Sequence, residues 1–385
     1  MSVQAPVAPP AQEQWELLLE GALAQLLARA AELDAHPRFP RANFESLARA
    51  GVAQLAGMRE SVTFAREVEL VRAVASADAS TARILDGHFN GAERLALLAP
   101  GELRERELDA IRDGELLLGV WGADPGPGEG APAAIAPERG GDALVLSGSK
   151  TFCSGAGGVQ RALVVARDEH GARRLVYVDA THTISIDRDW YRASGLRASE
   201  SHRVEFHETP VLAILGEPDE TTREPWFARD ALRTSATWAG IADRILAATV
   251  EAIGERHADE LRLHALGRMR VARGTIDRSL EHAIELLERA GEAAPEDAVA
   301  AGAAASEDAA ALLQWRAVSA EARLSIAAAA RLIAAEAVRV CGSRALIGGG
   351  ALDRARRDLD LFLLQHRLDP KLVELGAQTL AEGAR

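Results

Sequence analysis

The chain has 385 residues, a formal net charge of −13 at pH 7 and a sequence pI near 5.4. A chain of this length can form two or three domains of ordinary size and can bury a large core. Its acidic balance excludes the basic surface that attracts a nucleic-acid backbone, so we predict no nucleic-acid partner.

Residues 1–115 are predicted to be mainly helical after a proline-rich start. Apolar residues recur at helical spacing in EQWELLLEGALAQLLARAAELDAH, and Pro37 and Pro40 end that helix. Further helical patterns follow in RANFESLARAGVAQLAG, from Thr63 to Ile84, and in PGELRERELDAIRDG. We therefore predict an N-terminal helical domain over this range.

Residues 116–222 have a different texture, with short apolar runs that are rich in β-formers and separated by Gly, Pro and Asp. These runs are ELLLGVWG, DALVLSG, RALVVARD, RLVYVDA, ISIDRDW, HRVEFHE and VLAIL. Such spacing favours an antiparallel barrel or sandwich over βαβ units. Residues 223–385 return to a helical period, so the order of helices, strands and helices predicts an α+β chain with three domains.

The stretch LSGSKTFCSGAGG invites two chemical interpretations that its context does not favour. A phosphate-binding P-loop needs lysine directly after glycine and before a helix, whereas Ser149 separates Gly148 from Lys150 and a strand is predicted to follow. A nucleophilic Cys153 would need a neighbouring imidazole and a lowered pKa. We therefore predict that Cys153 packs in a strand.

No spacing of potential ligands predicts a metal site or a carboxylate pair. The histidines form no HxxxH or HExxH pair, and the two cysteines are too isolated for a zinc site of CxxC type and too few for a disulfide scaffold. Asp358 and Asp360 are two residues apart on a predicted helix and so point in different directions. We predict that they face solvent or pair with Arg354 or Arg357.

The sequence also carries no targeting or membrane signal that we recognise. Its first residues lack a basic start followed by an apolar core, and no stretch offers the run of about 18 apolar residues that a membrane helix needs. We expect a cytoplasmic protein with no membrane partner.

Several longer motifs, taken together in this order, resemble a known family. GVWGADPGPGEG is similar to a T-E-P-G-A-G-S-D turn, LSGSKTFCSGAGG to a G-x-K-x-[FW]-I-[TS]-N-G strand, and GLRASESHRVEFHETPV to a G-x-R-x-S strand pair. VRVCGSRALIGGGALDRARRD resembles a V-Q-x-x-G-G-x-G turn followed by an R-D-x-R helix. The chain thus resembles the acyl-CoA dehydrogenase superfamily, whose members bind FAD and combine an N-terminal helical domain, a small β-domain and a C-terminal four-helix bundle.

The resemblance implies two groups of cofactor-binding residues. Phe152 would pack against the flavin ring and Ser154 would hydrogen-bond to it, beside Trp121 and Ala123 of the first motif. Ala123 stands where the family has a hydroxyl that bonds to flavin. In family tetramers the C-terminal motif reaches the ADP half of FAD in a neighbouring subunit. That role maps onto Arg339, Gly342 and Ser343, and it implies a homodimer or homotetramer.

The catalytic base of the family has no direct counterpart. Dehydrogenation of an acyl thioester needs a carboxylate that takes the α-proton while hydride passes to flavin. The usual C-terminal glutamate is absent, and His366 stands in its place. Some members supply the base from the first bundle helix, which maps onto Asp230. The alternative for Asp230 is a structural charge near Arg233.

Three functions follow from this resemblance. The first is an FAD-dependent oxidoreductase that acts on the CH–CH group of a small-molecule substrate, an acyl-CoA or similar thioester. The alternative is a flavin-dependent monooxygenase of the same superfamily, which fits the missing glutamate. The second alternative is a non-catalytic relative that acts as a binding or assembly partner.

Overall fold

The computed structural model of the chain describes residues 12–58, 62–141, 143–254, 259–293, 309–365 and 367–383. Ten α-helices and seven β-strands lie in these ranges, in the order predicted from the sequence. The predicted fold class is therefore confirmed: N-terminal helices precede a β-barrel, and a helical bundle follows it. The bounds of the three domains stay a prediction.

The N-terminal region contains five helices, and each contributes buried side chains to one core. They are α1 (Gln12–Ala35), α2 (Arg41–Arg49), α3 (Phe64–Ala77), α4 (Ala79–Leu98) and α5 (Gly101–Arg112). The run predicted from Thr63 to Ile84 is interrupted at Asp78, which is extended. The Asp78 carboxylate accepts a hydrogen bond of 2.7 Å from the Thr81 amide. It thus caps α4, because the first amides of a helix lack partners within the helix.

The central strands form a five-stranded closed barrel with two further strands attached. The strands are β1 (Leu118–Trp121), β2 (Ala134–Pro137), β3 (Leu144–Cys153), β4 (Arg161–Arg167), β5 (Arg173–Asp179), β6 (Ile184–Asp187) and β7 (His202–Leu215). The barrel runs β4, β2, β3, β7 and β5 and closes from β5 to β4, while β1 pairs with β4 and β6 pairs with β7. The predicted antiparallel arrangement holds for most pairs, but β1 and β2 are parallel to β4.

The C-terminal region contains α6 (Trp226–Gly254), α7 (Glu260–Ala293), α8 (Ala309–Cys341), α9 (Ala351–Gln365) and α10 (Asp369–Gly383). Helix α6 crosses α3 closely, since a Cβ atom added to Gly240 would lie 2.1 Å from the Arg72 carbonyl oxygen. Buried apolar residues of all three regions form one continuous core. Among the described helices, none combines the length and the apolar character that a bilayer crossing requires.

Candidate functional site

Phe152 marks the site because it is both strained and exposed. It lies near the end of β3, where the pairing with β7 is irregular between Lys150 and Cys153, and its φ is 52°. Its side chain is 42% exposed, and its ring meets the Trp190 ring edge-on with centroids 4.9 Å apart. A bulky residue at positive φ costs about 1–3 kcal/mol and occurs mainly at functional sites.

Trp190 is held in place by a turn of the GVWGADPGPGEG motif. Its indole N–H donates a hydrogen bond of 3.0 Å to Glu129, whose other carboxylate oxygen accepts one of 2.8 Å from the Gly126 amide. These two bonds lower the pKa of Glu129, so it stays ionised as an acceptor. The motif turn and the aromatic pair of Phe152 and Trp190 therefore form one unit.

Buried hydroxyl groups lie beside this aromatic pair. The Ser154 hydroxyl is 2.9 Å from that of Ser201, which is 2.7 Å from that of Ser199. All three serines are buried. The nearby Tyr191 hydroxyl donates to the carbonyl oxygens of Gly195 and Leu196, each at 3.4 Å. Buried hydroxyls need partners, and the three serines satisfy one another.

The base of the site is fixed by Trp121 and by an ion pair. The fully buried Trp121 indole donates a hydrogen bond of 3.1 Å to the Ser154 carbonyl oxygen. The Lys150 ammonium is also buried, and it lies 2.6 Å from the Asp124 carboxylate. Exposed Ala123 accepts a backbone hydrogen bond from Thr151. Lys150 therefore anchors the motif turn to β3, where a buried charge requires such a partner.

Helix α9 holds the loop that carries Tyr191, Ser199 and Ser201. The Asp358 carboxylate accepts a hydrogen bond of 2.6 Å from the Leu196 amide. A Cβ atom on Gly195 would lie 2.2 Å from the Arg357 carbonyl oxygen, so only glycine fits this approach. Asp358 is thus buried and bonded to backbone, neither solvent-facing as predicted nor ion-paired. Burial raises its pKa to about 7.

Asp230 lies in a buried charge cluster between α3, α4 and α6. Its carboxylate is 2.7 Å from an Arg94 nitrogen and 3.4 Å from an Arg233 nitrogen. Arg233 in turn lies 2.6 Å from Glu67 and 2.9 Å from Glu93. Burial raises the pKa of Asp230 to about 7, against the opposing effect of the two arginines. The structural charge near Arg233 that the sequence offered as an alternative is therefore present.

The second predicted group of cofactor residues lies at the C-terminal end of α8. Arg339 pairs with Glu336 at 2.5 Å, and Gly342, with a φ of 71°, and Ser343 are exposed. A cavity of about 150 Å³ adjoins them and is lined in part by Arg262 and Arg344. His366, the other candidate base, lies outside the described residues.

No metal centre or reactive thiol is evident in the ranges that the structure covers. No group of three or more His, Cys, Asp or Glu side chains there could hold a metal ion. The Cys153 thiol is fully buried, and burial raises its pKa. A protonated, enclosed thiol is inert, which agrees with the predicted packing role.

The residues at the end of β3 fit a flavin. An exposed, strained phenylalanine offers an aromatic face to a planar ring, and the adjacent buried Ser154 has oxygen lone pairs left over for a ring atom. Phe152 and Ser154 would hold the ring there, with Trp190 and Trp121 behind them. A flavin at this position would supply two-electron redox chemistry.

The sequence predicted Phe152 and Ser154 but missed five residues beside them. These are Glu129, Trp190, Tyr191 and the Ser199 and Ser201 pair. One signal was available, because only 4% of the residues are aromatic and two of them are adjacent at Trp190 and Tyr191. Their approach to β3 depends on the fold of the loop, which no local pattern reveals.

Comparisons with known proteins agree with this architecture. No protein-family profile matches the chain. A dibenzothiophene monooxygenase of Rhodococcus erythropolis is 29% identical over 166 residues, which are 41% of this chain and 38% of that enzyme. The alignment with this curated relative therefore spans less than half of either protein.

Two solved structures match almost the whole chain. FMN-bound TdsC from Paenibacillus sp. A11-2 has a TM-score of 0.83 at 19% identity and covers 96% of this chain and 98% of its own. The methanesulfinate monooxygenase MsuC from Pseudomonas fluorescens has a TM-score of 0.83 at 22% identity, with 97% of each chain covered. The chain therefore has the fold of TdsC and MsuC.

Proposed function

We propose that the protein is a flavin-dependent monooxygenase. The observation that carries this proposal is the aromatic and hydroxyl site at Phe152 and Ser154, in a fold shared along 96% of the chain with FMN-bound TdsC. A flavin held by Phe152 and Ser154 would, when reduced, supply the two electrons with which one atom of molecular oxygen enters an organic substrate and the other leaves as water. This corresponds to the alternative function from the sequence.

The monooxygenase fits the site better than an acyl-CoA dehydrogenase does. A dehydrogenase needs a carboxylate base that is free to reach the α-proton. Asp230 is held by Arg94 and Arg233, and losing its charge would remove the carboxylate that pairs with buried Arg94. The space between α4 and α6 is also filled by ion pairs in this region, whereas an acyl chain requires apolar walls.

We propose FMN as the cofactor in place of the FAD implied by the sequence motifs. TdsC was solved with FMN, and its fold matches this chain. Phe152 would stack on the ring, Ser154 would hydrogen-bond to the ring edge, and Trp190 would support Phe152 from behind. Arg339, Gly342 and Ser343 would contact the phosphate side of a cofactor in a neighbouring subunit, so the active protein would be a homodimer or homotetramer.

The substrate class that we propose is a small organosulfur compound or a similar oxidisable molecule. The relatives named above act on dibenzothiophene and methanesulfinate. An acyl-CoA would be the substrate only of the dehydrogenase.

Titration of the purified full chain with FMN and with FAD tests the cofactor, followed by flavin absorbance. We expect tighter binding of FMN, and no loss of flavin absorbance when an acyl-CoA is added without oxygen. Bleaching of the flavin by an acyl-CoA would support the dehydrogenase function. Failure to bind either flavin would instead favour the non-catalytic relative.

A further inference from the structure

The segment 199–202 holds the turn that begins at Ser154. The Ser201 hydroxyl lies 2.9 Å from the Ser154 hydroxyl. The next two amides of the turn, those of Gly155 and Ala156, donate hydrogen bonds of 2.8 Å and 3.3 Å to carbonyl oxygens of the same segment. The position of the Ser154 hydroxyl therefore depends on the backbone conformation of segment 199–202.

Glu200 is the unusual residue of this segment, because its backbone and its side chain are both in unfavourable environments. Its φ is 48° and its ψ is 45°, a left-handed conformation that glycine adopts freely and other residues rarely do. Its side chain is only 6% exposed, and a buried carboxylate is costly unless it is paired. The Glu200 carboxylate must therefore make contacts that offset both costs.

Two side chains provide these contacts. The Arg188 guanidinium donates a hydrogen bond of 2.7 Å to a carboxylate oxygen of Glu200, and His202 Nε2 lies 3.2 Å from the same oxygen. The His202 side chain is as deeply buried, and neither of its ring nitrogens forms an aligned hydrogen bond with a residue that the structure describes. The Glu200 carboxylate thus links the start of β7 to the loop that carries Arg188.

Arg188 lies in the turn that also carries Trp190. This turn is closed by the Asp187 carboxylate, which accepts a hydrogen bond of 3.2 Å from the Trp190 amide. The Trp190 ring contacts the ring of Phe152. The bond between Arg188 and Glu200 therefore connects the aromatic pair of the proposed site to the segment that holds its hydroxyl group.

We propose that Glu200 is a positioning residue for the flavin. Through its two partners, its carboxylate fixes the Ser154 hydroxyl relative to the Phe152 ring. This inference rests on the proposed function. A planar ring can meet an aromatic face and a hydrogen-bond partner at its edge together only where these two groups are held in fixed relative positions. Such preorganisation increases affinity, because less conformational freedom is lost when the ligand binds.

The variant Glu200→Gly of the full chain tests the inference, since glycine accepts the left-handed backbone and the change removes the carboxylate. FMN titration followed by flavin absorbance measures binding, and chemical denaturation measures stability. We expect the FMN dissociation constant to rise about tenfold and the visible band of bound FMN to shift. The denaturation midpoint should stay close to that of the unaltered chain, because relief of backbone strain offsets the lost ion pair.

Arg188→Met removes the other member of the ion pair and should weaken FMN binding in the same direction. Because both changes break one contact, the combined variant should bind FMN no more weakly than Glu200→Gly alone. Should Glu200→Gly fail to fold, Glu200→Gln removes the charge while it keeps the size of the side chain, and it should also weaken FMN binding.

Glu208→Gly is the matched control. Glu208 is another glutamate of β7 in the left-handed region, with a φ of 49°, but its side chain is exposed. The change should leave FMN affinity and the visible band unaltered. Unchanged FMN affinity in both the Glu200 variants and Arg188→Met would overturn the positioning role and leave the proposed function intact. If the unaltered chain binds no flavin, the proposed function fails, and this inference fails with it.

Discussion

Phe152 carries the most direct sign of function at the scale of single residues. Its positive φ and its exposure are each unfavourable in a protein selected for stability alone. The contact with Trp190 and the irregular pairing of β3 with β7 hold it in this conformation. The strain is explained if the Phe152 ring packs against a planar cofactor.

The substitution Phe152→Gly distinguishes the contribution of Phe152 to protein stability from its contribution to FMN binding. Glycine adopts positive φ without strain, which offsets the lost contact with Trp190, so the free energy of unfolding should change by less than about 1 kcal/mol. FMN affinity should fall about tenfold or more, equal to about 1.4 kcal/mol. Chemical denaturation and FMN titration measure the two effects. Phe227→Ala, at another exposed phenylalanine, should leave affinity unchanged. Equal affinity in both variants would remove Phe152 from the site.

The site was only partly predictable at this scale. Phe152 and Ser154 lie in a contiguous motif, so a pattern of neighbours identifies them. Trp190 and Tyr191 are distant in sequence and reach β3 through a loop that adopts left-handed conformations at Leu196 and Glu200. Such conformations are uncommon in residues other than glycine, and no residue type in this loop predicts them. Their positions therefore required the structure.

The charge cluster determines how α3, α4 and α6 pack, at the scale of elements. Arg233 is fully buried and contacts Glu67 and Glu93. Arg233→Met would remove a buried arginine partner from both carboxylates and should lower the free energy of unfolding by about 3–5 kcal/mol. Arg289→Met, which breaks an exposed pair with Glu285, is the control in the same denaturation experiment and should cost under about 0.5 kcal/mol. Equal losses would show that the cluster is not structural.

Asp358 links α9 to the loop that carries Tyr191, Ser199 and Ser201, and this link depends on pH. Burial raises its pKa to about 7, above an unfolded value near 3.9. The associated stability is therefore full below about pH 4 and is lost as pH rises through 7. Asp358→Asn keeps an acceptor for the Leu196 amide but cannot ionise. Its stability relative to the unaltered protein should rise by about 1–3 kcal/mol between pH 4 and 8.

Thermal or chemical denaturation across this pH range measures the effect of Asp358→Asn. Asp360→Asn is the control, since the Asp360 side chain is 56% exposed on the same helix, and it should change stability by less than about 0.5 kcal/mol. A difference between Asp358→Asn and the unaltered protein that stays flat with pH would contradict a buried, proton-binding Asp358.

Helices were predicted correctly where the spacing of apolar residues and the position of helix-breaking residues agreed. Pro37 and Pro40 separate α1 from α2 as expected, because proline ends a helix. The segments HRVEFHE and VLAIL instead form the single strand β7, despite Pro210 between them. Strand β2 was not predicted, because Ala134–Pro137 is short and lacks β-branched alternation. Its pairing with β3 and β4 is a long-range effect.

At the scale of the whole molecule, the C-terminal region exposes many large apolar side chains. Those with more than half of their surface exposed include Leu261, Val271, Ile347, Leu364, Val373 and Leu380. Such a surface favours association with further copies. We predict that the full chain sediments as a dimer or tetramer, and that Val373→Asp with Leu380→Asp yields a smaller species.

Sedimentation velocity measures this association directly. Leu17→Asp alters an equally exposed apolar residue in α1, 70% exposed, and should leave the assembly unchanged. A monomer of the unaltered chain, or an equal response to both changes, would contradict an interface on the C-terminal helices.

The central claim is that the protein transfers oxygen with the help of a flavin at Phe152 and Ser154. The most direct measurement supplies reduced FMN and isotopically labelled molecular oxygen to the full chain, together with dibenzothiophene or a sulfinate, and analyses the product by mass spectrometry. We predict that one labelled oxygen atom enters the product, and that Phe152→Gly reduces this incorporation. Binding of FMN without incorporation, combined with flavin reduction by an acyl-CoA in the absence of oxygen, would contradict the claim.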